Sequence, residues 1–296
     1  MGDTDRPVGG GDATRPLFRA LPDLTEHPSA PPSPTERAAG EPDSDGLPAS
    51  VSRSGRGALP VLLRTAAEFF GTAAAVVLLF VAYQLVVADQ VSARQQDSLA
   101  DGVVERWARA EEPAPPLAEA EAGDAVAVLH IPRLGADFRR AVVEGTEARH
   151  LARGPGHYTG SALPGETGNF AVAGHRDGRG SPFKELDELR PGDPVVVETA
   201  ERWYVYRVLG DVGSDSFAGD PSGIPGRRIV PPEAVEVISP TPGQPPTAAA
   251  TGRYLTLTTC HPEFSAEERL IVHAALEGIG TSRAELPEGP ELLRAR

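Results

Sequence analysis

The 296 residues contain one cysteine, Cys260, which closes the run Leu255-Thr-Leu-Thr-Thr-Cys260-His-Pro and is followed nine positions later by Arg269. A solitary cysteine cannot form an internal disulfide, and it cannot build a thiolate zinc site. Two roles remain: a small buried hydrophobe, or a nucleophile. A nearby cation favours the thiolate, and a guanidinium can also donate to an oxyanion that develops on a substrate. Arg269 is of the right type for both.

Strand alternation tests the pairing, because successive side chains point to opposite faces. Leu255 and Leu257 share one face, and Thr256, Thr258 and Cys260 share the other. In the next β-type run, Leu270, Val272 and Leu276 lie opposite to Arg269, Ile271 and His273. The intervening residues 261–268 are few enough to join adjacent antiparallel strands. That arrangement brings the end of one strand to the start of the next, with Cys260 and Arg269 both on the face away from the leucines.

A nucleophilic cysteine also needs a base in reach. Of the seven histidines, His27 lies in a proline-rich stretch, and His130 and His273 sit in mid-strand. His150, His157 and His261 fall in loops or at element ends. His175 closes the apolar strand Phe170-Ala-Val-Ala and follows Gly174, which permits close approach of another segment. Spacing alone leaves His157 and His261 as alternatives. A free cysteine titrates near about 8.5 and a histidine near about 6.5, so thiolate and imidazolium rarely coexist at neutral pH. Either the site shifts those values or only a small fraction of the enzyme is active at once.

These residues belong to a β-rich region over 123–279. The runs 125–131, 139–143, 169–173, 194–198, 203–208, 234–238, 254–258 and 270–274 are rich in Val, Ile and aromatic residues, and Gly and Pro punctuate them. Eight short strands with brief helical pieces, such as 183–189, predict a β-barrel or sandwich. About 155 residues suffice for one buried core.

The region is preceded by an uncharged run, Phe69 to Ala88, long enough for the roughly 20 residues that cross a bilayer core. It begins too deep in the chain for a cleaved signal peptide. A transmembrane helix is expected over 61–88. Arg53, Arg56 and Arg64 flank it on the N-terminal side, whereas Arg94 stands among Asp89, Asp97 and Asp101 on the other. The positive-inside rule places 1–60 in the cytoplasm and everything after Ala88 outside the cell membrane, as a single-pass protein. Residues 1–60, crowded with proline, are expected to be disordered. Residues 89–122 read as a stalk whose helix could also pack on the domain as a cover. Glu111-Glu-Pro-Ala-Pro-Pro116 stops that helix. A polar tail is expected over 280–296.

The net charge of −14 argues against nucleic acid, which a basic surface would be needed to bind. Lys184 is the only lysine among many arginines, a bias of high-GC genomes. No residue set here calls for a metal, and no cofactor is expected.

Thr256-Leu-Thr-Thr-Cys260 with Arg269, and Asn169-Phe-Ala-Val-Ala-Gly-His175 upstream, closely resemble the sortases, membrane-anchored cysteine transpeptidases of Gram-positive bacteria. Leu163-Pro-Gly-Glu-Thr-Gly-Asn169 and Phe183 to Asp193 are similar to family sequence as well. Cys260-His-Pro262 and Gly156-His-Tyr158 most resemble the class E sortases of actinobacteria. The resemblance implies an eight-stranded β-barrel and a two-step acyl transfer. Cys260 would attack the Thr–Gly carbonyl of a C-terminal sorting signal on a secreted protein, and an amine of a peptidoglycan precursor, of the lipid II type, would resolve the thioacyl enzyme. His175 would move the protons and Arg269 would hold the substrate backbone and oxyanion. Class E resemblance favours a Leu-Ala-x-Thr-Gly signal over Leu-Pro-x-Thr-Gly. Tyr158, with Thr259 and His261 beside the cysteine, are the implied substrate contacts. A packing tyrosine is the other role open to Tyr158. Residues 213–226 form a stretch longer than the family usually carries, near the expected groove, and read as a tolerated surface insertion. Two other functions share these residues: an exported cysteine hydrolase with water as acceptor, and a tethered wall-binding domain with an inert cysteine.

Overall fold

The computed structural model describes residues 58–83, 88–109 and 117–294. The disordered tail expected over 1–60 lies outside the described residues apart from its last three, as do His27 and the proline stop at 111–116.

Helix α1, Ala58–Ala82, forms a unit separate from the rest. Pro60–Val81 has a mean hydropathy of 1.6 and is long and apolar enough to cross a membrane. Its side chains are exposed, so no protein core claims its apolar surface. Arg64 and Glu68, one helical turn apart, pair at 3.0 Å near its N-terminal end.

The second unit contains helix α2, Ala88–Arg109, and the β domain. Its strands are β1 Ala125–His130, β2 Arg139–Glu144, β3 Gly156–His157, β4 Gly168–Ala173, β5 Pro194–Glu198, β6 Arg202–Val208, β7 Arg227–Val230, β8 Arg253–His261, β9 Glu268–Leu276 and β10 Thr281–Ser282. The order β6-β5-β1-β2-β3-β4-β8-β9 closes on itself where β6 pairs with β9, giving an eight-stranded mixed barrel. Strands β10 and β7 add to β6 and β9 at the seam.

Alternation along the strands fills the barrel. Phe170, Val172, Leu255, Leu257, Leu270, Val272 and Ala274 join the interior cluster with Leu129, Val195, Val197 and Tyr206. In β1 a register shift between Ala125 and Ala127 sends both Val126 and Ala127 inward.

The outward faces are covered in two places. Helix α2 lays Ala100 and Val103 on Val128 and Ala141, with Leu99, Val104 and Trp107 alongside, a stripe at helical spacing. Elsewhere Val230, Ala234, Val237 and Ile238 cover Ala171, Ala173 and Ile271.

Two local expectations change. Residues 234–238 form no strand; Val235–Ile238 is a 3-10 turn, and both Val237 and Ile238 are buried on one side of the sheet. Pro231 and Pro232 immediately precede it and cannot donate to a ladder. The remaining ring strand is instead β3, two residues long, parallel to β2 and antiparallel to β4. The segment after Gly280 is fastened to the barrel: β10 pairs with β6, and Trp203 donates from Nε1 to the Leu286 carbonyl at 3.0 Å.

Candidate active site

Cys260 and Arg269 are direct cross-strand partners at the end of the β8–β9 hairpin. Both side chains lie on the outer face of the barrel, since the intervening register positions Thr259 and Leu270 belong to the inner one. Opposed residues in such a pair have Cα atoms roughly 5 Å apart. Cys260 is 7% exposed and Arg269 3%. Arg269 donates from Nη1 to the carbonyls of Ala266 at 2.8 Å and Glu268 at 3.0 Å, so the loop's own backbone orients the guanidinium.

His175 arrives from the other side of β8. Strand β4 runs parallel to β8 with Ala173 opposite Thr258, and both His175 and Cys260 stand two positions further on. The register continues past the strand end because Gly174 donates to Thr258 O at 3.0 Å and Thr259 donates from Oγ1 to Gly174 O at 2.8 Å. Gly174 has no room for a side chain: a Cβ there would lie 2.5 Å from the Phe183 ring. Glycine thus lets Phe183 pack under the residue that carries the imidazole.

Burial is the main influence on His175. It lowers the pKa to about 4, with the Arg179 charge adding to the effect. The imidazole is therefore neutral at physiological pH, and its Nε2 is buried without a hydrogen-bond partner among the described residues. A neutral imidazole next to a thiol is a base able to receive that thiol's proton.

Four of the other five described histidines are committed elsewhere. His157 shares 2.6 Å with Glu144 Oε2 through Nδ1, and Ser161 Oγ lies 2.9 Å from its Nε2. His130 pairs with Glu198 at 3.0 Å. His273 donates from Nδ1 to Thr256 Oγ1 at 2.9 Å, and that hydroxyl donates to Asn169 Oδ1 at 2.8 Å. His261 accepts at Nδ1 from Arg176 Nη1 at 3.0 Å.

Of the three residues implied as substrate contacts, Tyr158 stands on the outer side with the cysteine and arginine. Its hydroxyl is 3.0 Å from Thr258 Oγ1, and burial pushes its pKa up to about 12, so it stays protonated. Thr259 is fully buried on the inner side, with its hydroxyl spent on Gly174. His261 is held by Arg176.

Sequence reasoning passed over Arg176, Asp177 and Asp187. Arg176 is 6% exposed and bridges His261 to Asp187, which it meets at 3.0 Å. Asp177 accepts from the Phe264 amide at 2.7 Å, tying the loop after His175 to the loop after Cys260. The available signal was their position directly after His175; the identity of the partners depends on the fold. The stretch 213–226 packs, through Ile224, against Leu209 and Tyr254, at the opposite end of β8 from Cys260. Phe217 lies under the Arg227 guanidinium at 4.0 Å.

A thiol, a neutral imidazole and a guanidinium on one face of a barrel are the equipment of a cysteine acyl-transfer enzyme. Residues 129–277 match the Sortase domain family. The chain is 36% identical to Sortase SrtE1 of Streptomyces coelicolor over 223 residues, 73% of this chain and 57% of that protein. It is 32% identical to Sortase SrtE2 of the same organism over 220 residues, covering 71% of this chain and 79% of that protein. In structure it is similar to the SrtF sortase from Corynebacterium diphtheriae, with a TM-score of 0.56 and 39% identity, covering 64% of this chain and all of that one. The chain belongs to the sortase family of cysteine transpeptidases. It spans a little over half the length of SrtE1.

Proposed function

We propose that this protein is a membrane-anchored transpeptidase that cleaves a C-terminal sorting signal of the Leu-Ala-x-Thr-Gly or Leu-Pro-x-Thr-Gly type and joins the secreted protein to a peptidoglycan amine. The observation that carries this is the convergence at one barrel end of Cys260 and Arg269 as cross-strand partners, with His175 two residues past the end of the adjoining parallel strand.

In the mechanism, His175 takes the Cys260 proton as the sulfur attacks the Thr carbonyl carbon. Arg269 donates to the oxyanion, whose charge is greatest in the tetrahedral state. The C–N bond to Gly breaks, His175 returns its proton to the leaving amine, and a thioester remains. The acceptor amine then attacks that thioester, gives a proton to His175, and expels the Cys260 thiolate, which takes that proton back from His175 to restore the thiol and the neutral imidazole. Tyr158, a protonated phenol above Thr258, would line the subsite that distinguishes Ala from Pro in the signal. The apolar helix α1, with Arg53, Arg56 and Arg64 before or within its first turns, supports an N-terminus in the cytoplasm and a catalytic domain outside.

The test offers a labelled Leu-Ala-x-Thr-Gly peptide with and without a glycine-type amine. Transpeptidation gives an amine-dependent ligated product, whereas cleavage indifferent to amine indicates a hydrolase. Full activity in Cys260→Ala would remove the mechanism.

A further inference from the structure

The loop that follows His175 holds two non-glycine residues in left-handed backbone, Arg179 at φ 53° and Ser181 at φ 37°. Such conformations are strained for residues that carry a side chain and persist only where surrounding structure enforces them. Within the loop, the Ser181 amide donates to the Gly178 carbonyl at 2.8 Å and the Phe183 amide to the His175 carbonyl at 3.0 Å, and α2 adds contacts from outside. Gln96, 1% exposed, donates from Nε2 to the Arg179 carbonyl at 2.8 Å. At the next residue, Gly180 (φ 79°), an added Cβ would sit 2.8 Å from the Ala93 nitrogen and 3.0 Å from the Ser92 carbonyl carbon. Helix and loop therefore meet backbone to backbone, a contact only glycine allows.

Gln96 is an expensive choice for mere packing. Its Oε1 is buried with no hydrogen-bond partner among the described residues, a cost that an apolar side chain of similar size would avoid. What the amide supplies is a donor to the Arg179 carbonyl. The helix that carries it is fixed independently, by Ala100 and Val103 on Val128 and Ala141, and by ion pairs of Asp97 with Arg140 and Asp101 with Arg139.

We propose that α2, through Gln96, is a positioning element for the acid–base group: it holds residues 176–182 in the one conformation that keeps the His175 imidazole beside Cys260. The proposal rests on the reading of His175 as the proton carrier. It gives the helix that follows the membrane segment a second task besides covering the barrel. The loop it holds also carries Arg176 and Asp177, whose bonds reach His261 at the end of β8 and Phe264 in the turn that follows. A shift at Arg179 is thereby passed to the segment that directly follows the cysteine.

The experiment uses the full chain in detergent micelles and compares Gln96→Met with Arg139→Gln. The first keeps side-chain volume and removes the donor; the second loosens α2 at its Asp101 contact without touching the loop. For Gln96→Met, kcat for peptide cleavage should fall about tenfold with KM nearly unchanged, the cost of a small misplacement of a reacting group. Arg139→Gln should keep kcat even where its Tm falls as far. A second readout needs no sorting peptide: the rate of Cys260 alkylation by iodoacetamide. In Gln96→Met that rate should move from the wild-type value towards that of His175→Ala. If it stays at the wild-type value, or if both variants lose activity only in proportion to unfolded protein, Gln96 is structural and the proposal fails. A wild-type chain that does not cleave the peptide would overturn the transpeptidase reading alone, and the alkylation rates would still decide this one.

Discussion

Burial holds His175 as a neutral imidazole, with its pKa pushed down to about 4. The resting pair is then thiol and imidazole, and the proton crosses between them only as sulfur attacks. The acid limb of kcat/KM should accordingly lie near pH 4 and not near the 6.5 of a free histidine; a limb at the ordinary value would mean that the imidazole is hydrated in the working enzyme. His273, held neutral by complete burial with a pKa near 3, adds a stability consequence. As pH falls below about 6.5 the unfolded chain binds protons that the folded one refuses, so stability is full above that pH and declines below it. Thermal melts at about pH 7.5 and pH 5 should show the loss, and His273→Asn, which can still donate to Thr256, should remove part of it and leave the share of His175, whose pKa is lowered in the same way. The pairing of Cys260 with Arg269 was readable from strand parity and loop length alone. The Arg176–His261 and Asp177–Phe264 bonds were not, because a loop side chain carries no periodicity that announces its partner.

Strand β8 is the element on which the site depends, flanked by β4 in parallel and β9 in antiparallel register. The long, regular strands were legible because their alternation is strong and their Gly and Pro boundaries clear. Strand β3 was not, since two residues, Gly and His, cannot show a period. The run 234–238 misled for the reverse reason: its Val and Ile residues are buried as a strand's would be, but by a 3-10 turn lying across the sheet. Thr259 is the seam between β4 and β8 at the level of the site. Thr259→Val preserves shape and removes the bond to Gly174, so it should cost about 1 kcal/mol in urea titration. It should also lower kcat, because the same bond keeps the register that places His175.

At the scale of the molecule, composition revealed the division into an apolar helix and a β domain more readily than the role of what lies between them. Helix α2 looked like a stalk because its polar residues outnumber its apolar ones, yet the few apolar residues fall on one stripe and cover the barrel. A chain starting at Ala88 should melt like the full domain. One starting at Leu117 should lose at least about 2 kcal/mol, the burial of Val103 alone, as read by the shift in Tm. Whole cells treated with a membrane-impermeant maleimide should label Cys260 if the domain is exported, and only lysed cells should do so if it is not.

The position of β8 has a mechanical meaning too. A client bound through a thioester at Cys260 would pull on the barrel whenever its own chain is under tension. The load enters a strand tied by six register pairs to β4 and eight to β9, whereas the β6–β9 seam that closes the barrel has three. Force applied at the thiol is thus shared by the two longest ladders, and the barrel would yield first at β3, whose two residues pair only twice with β2 and twice with β4.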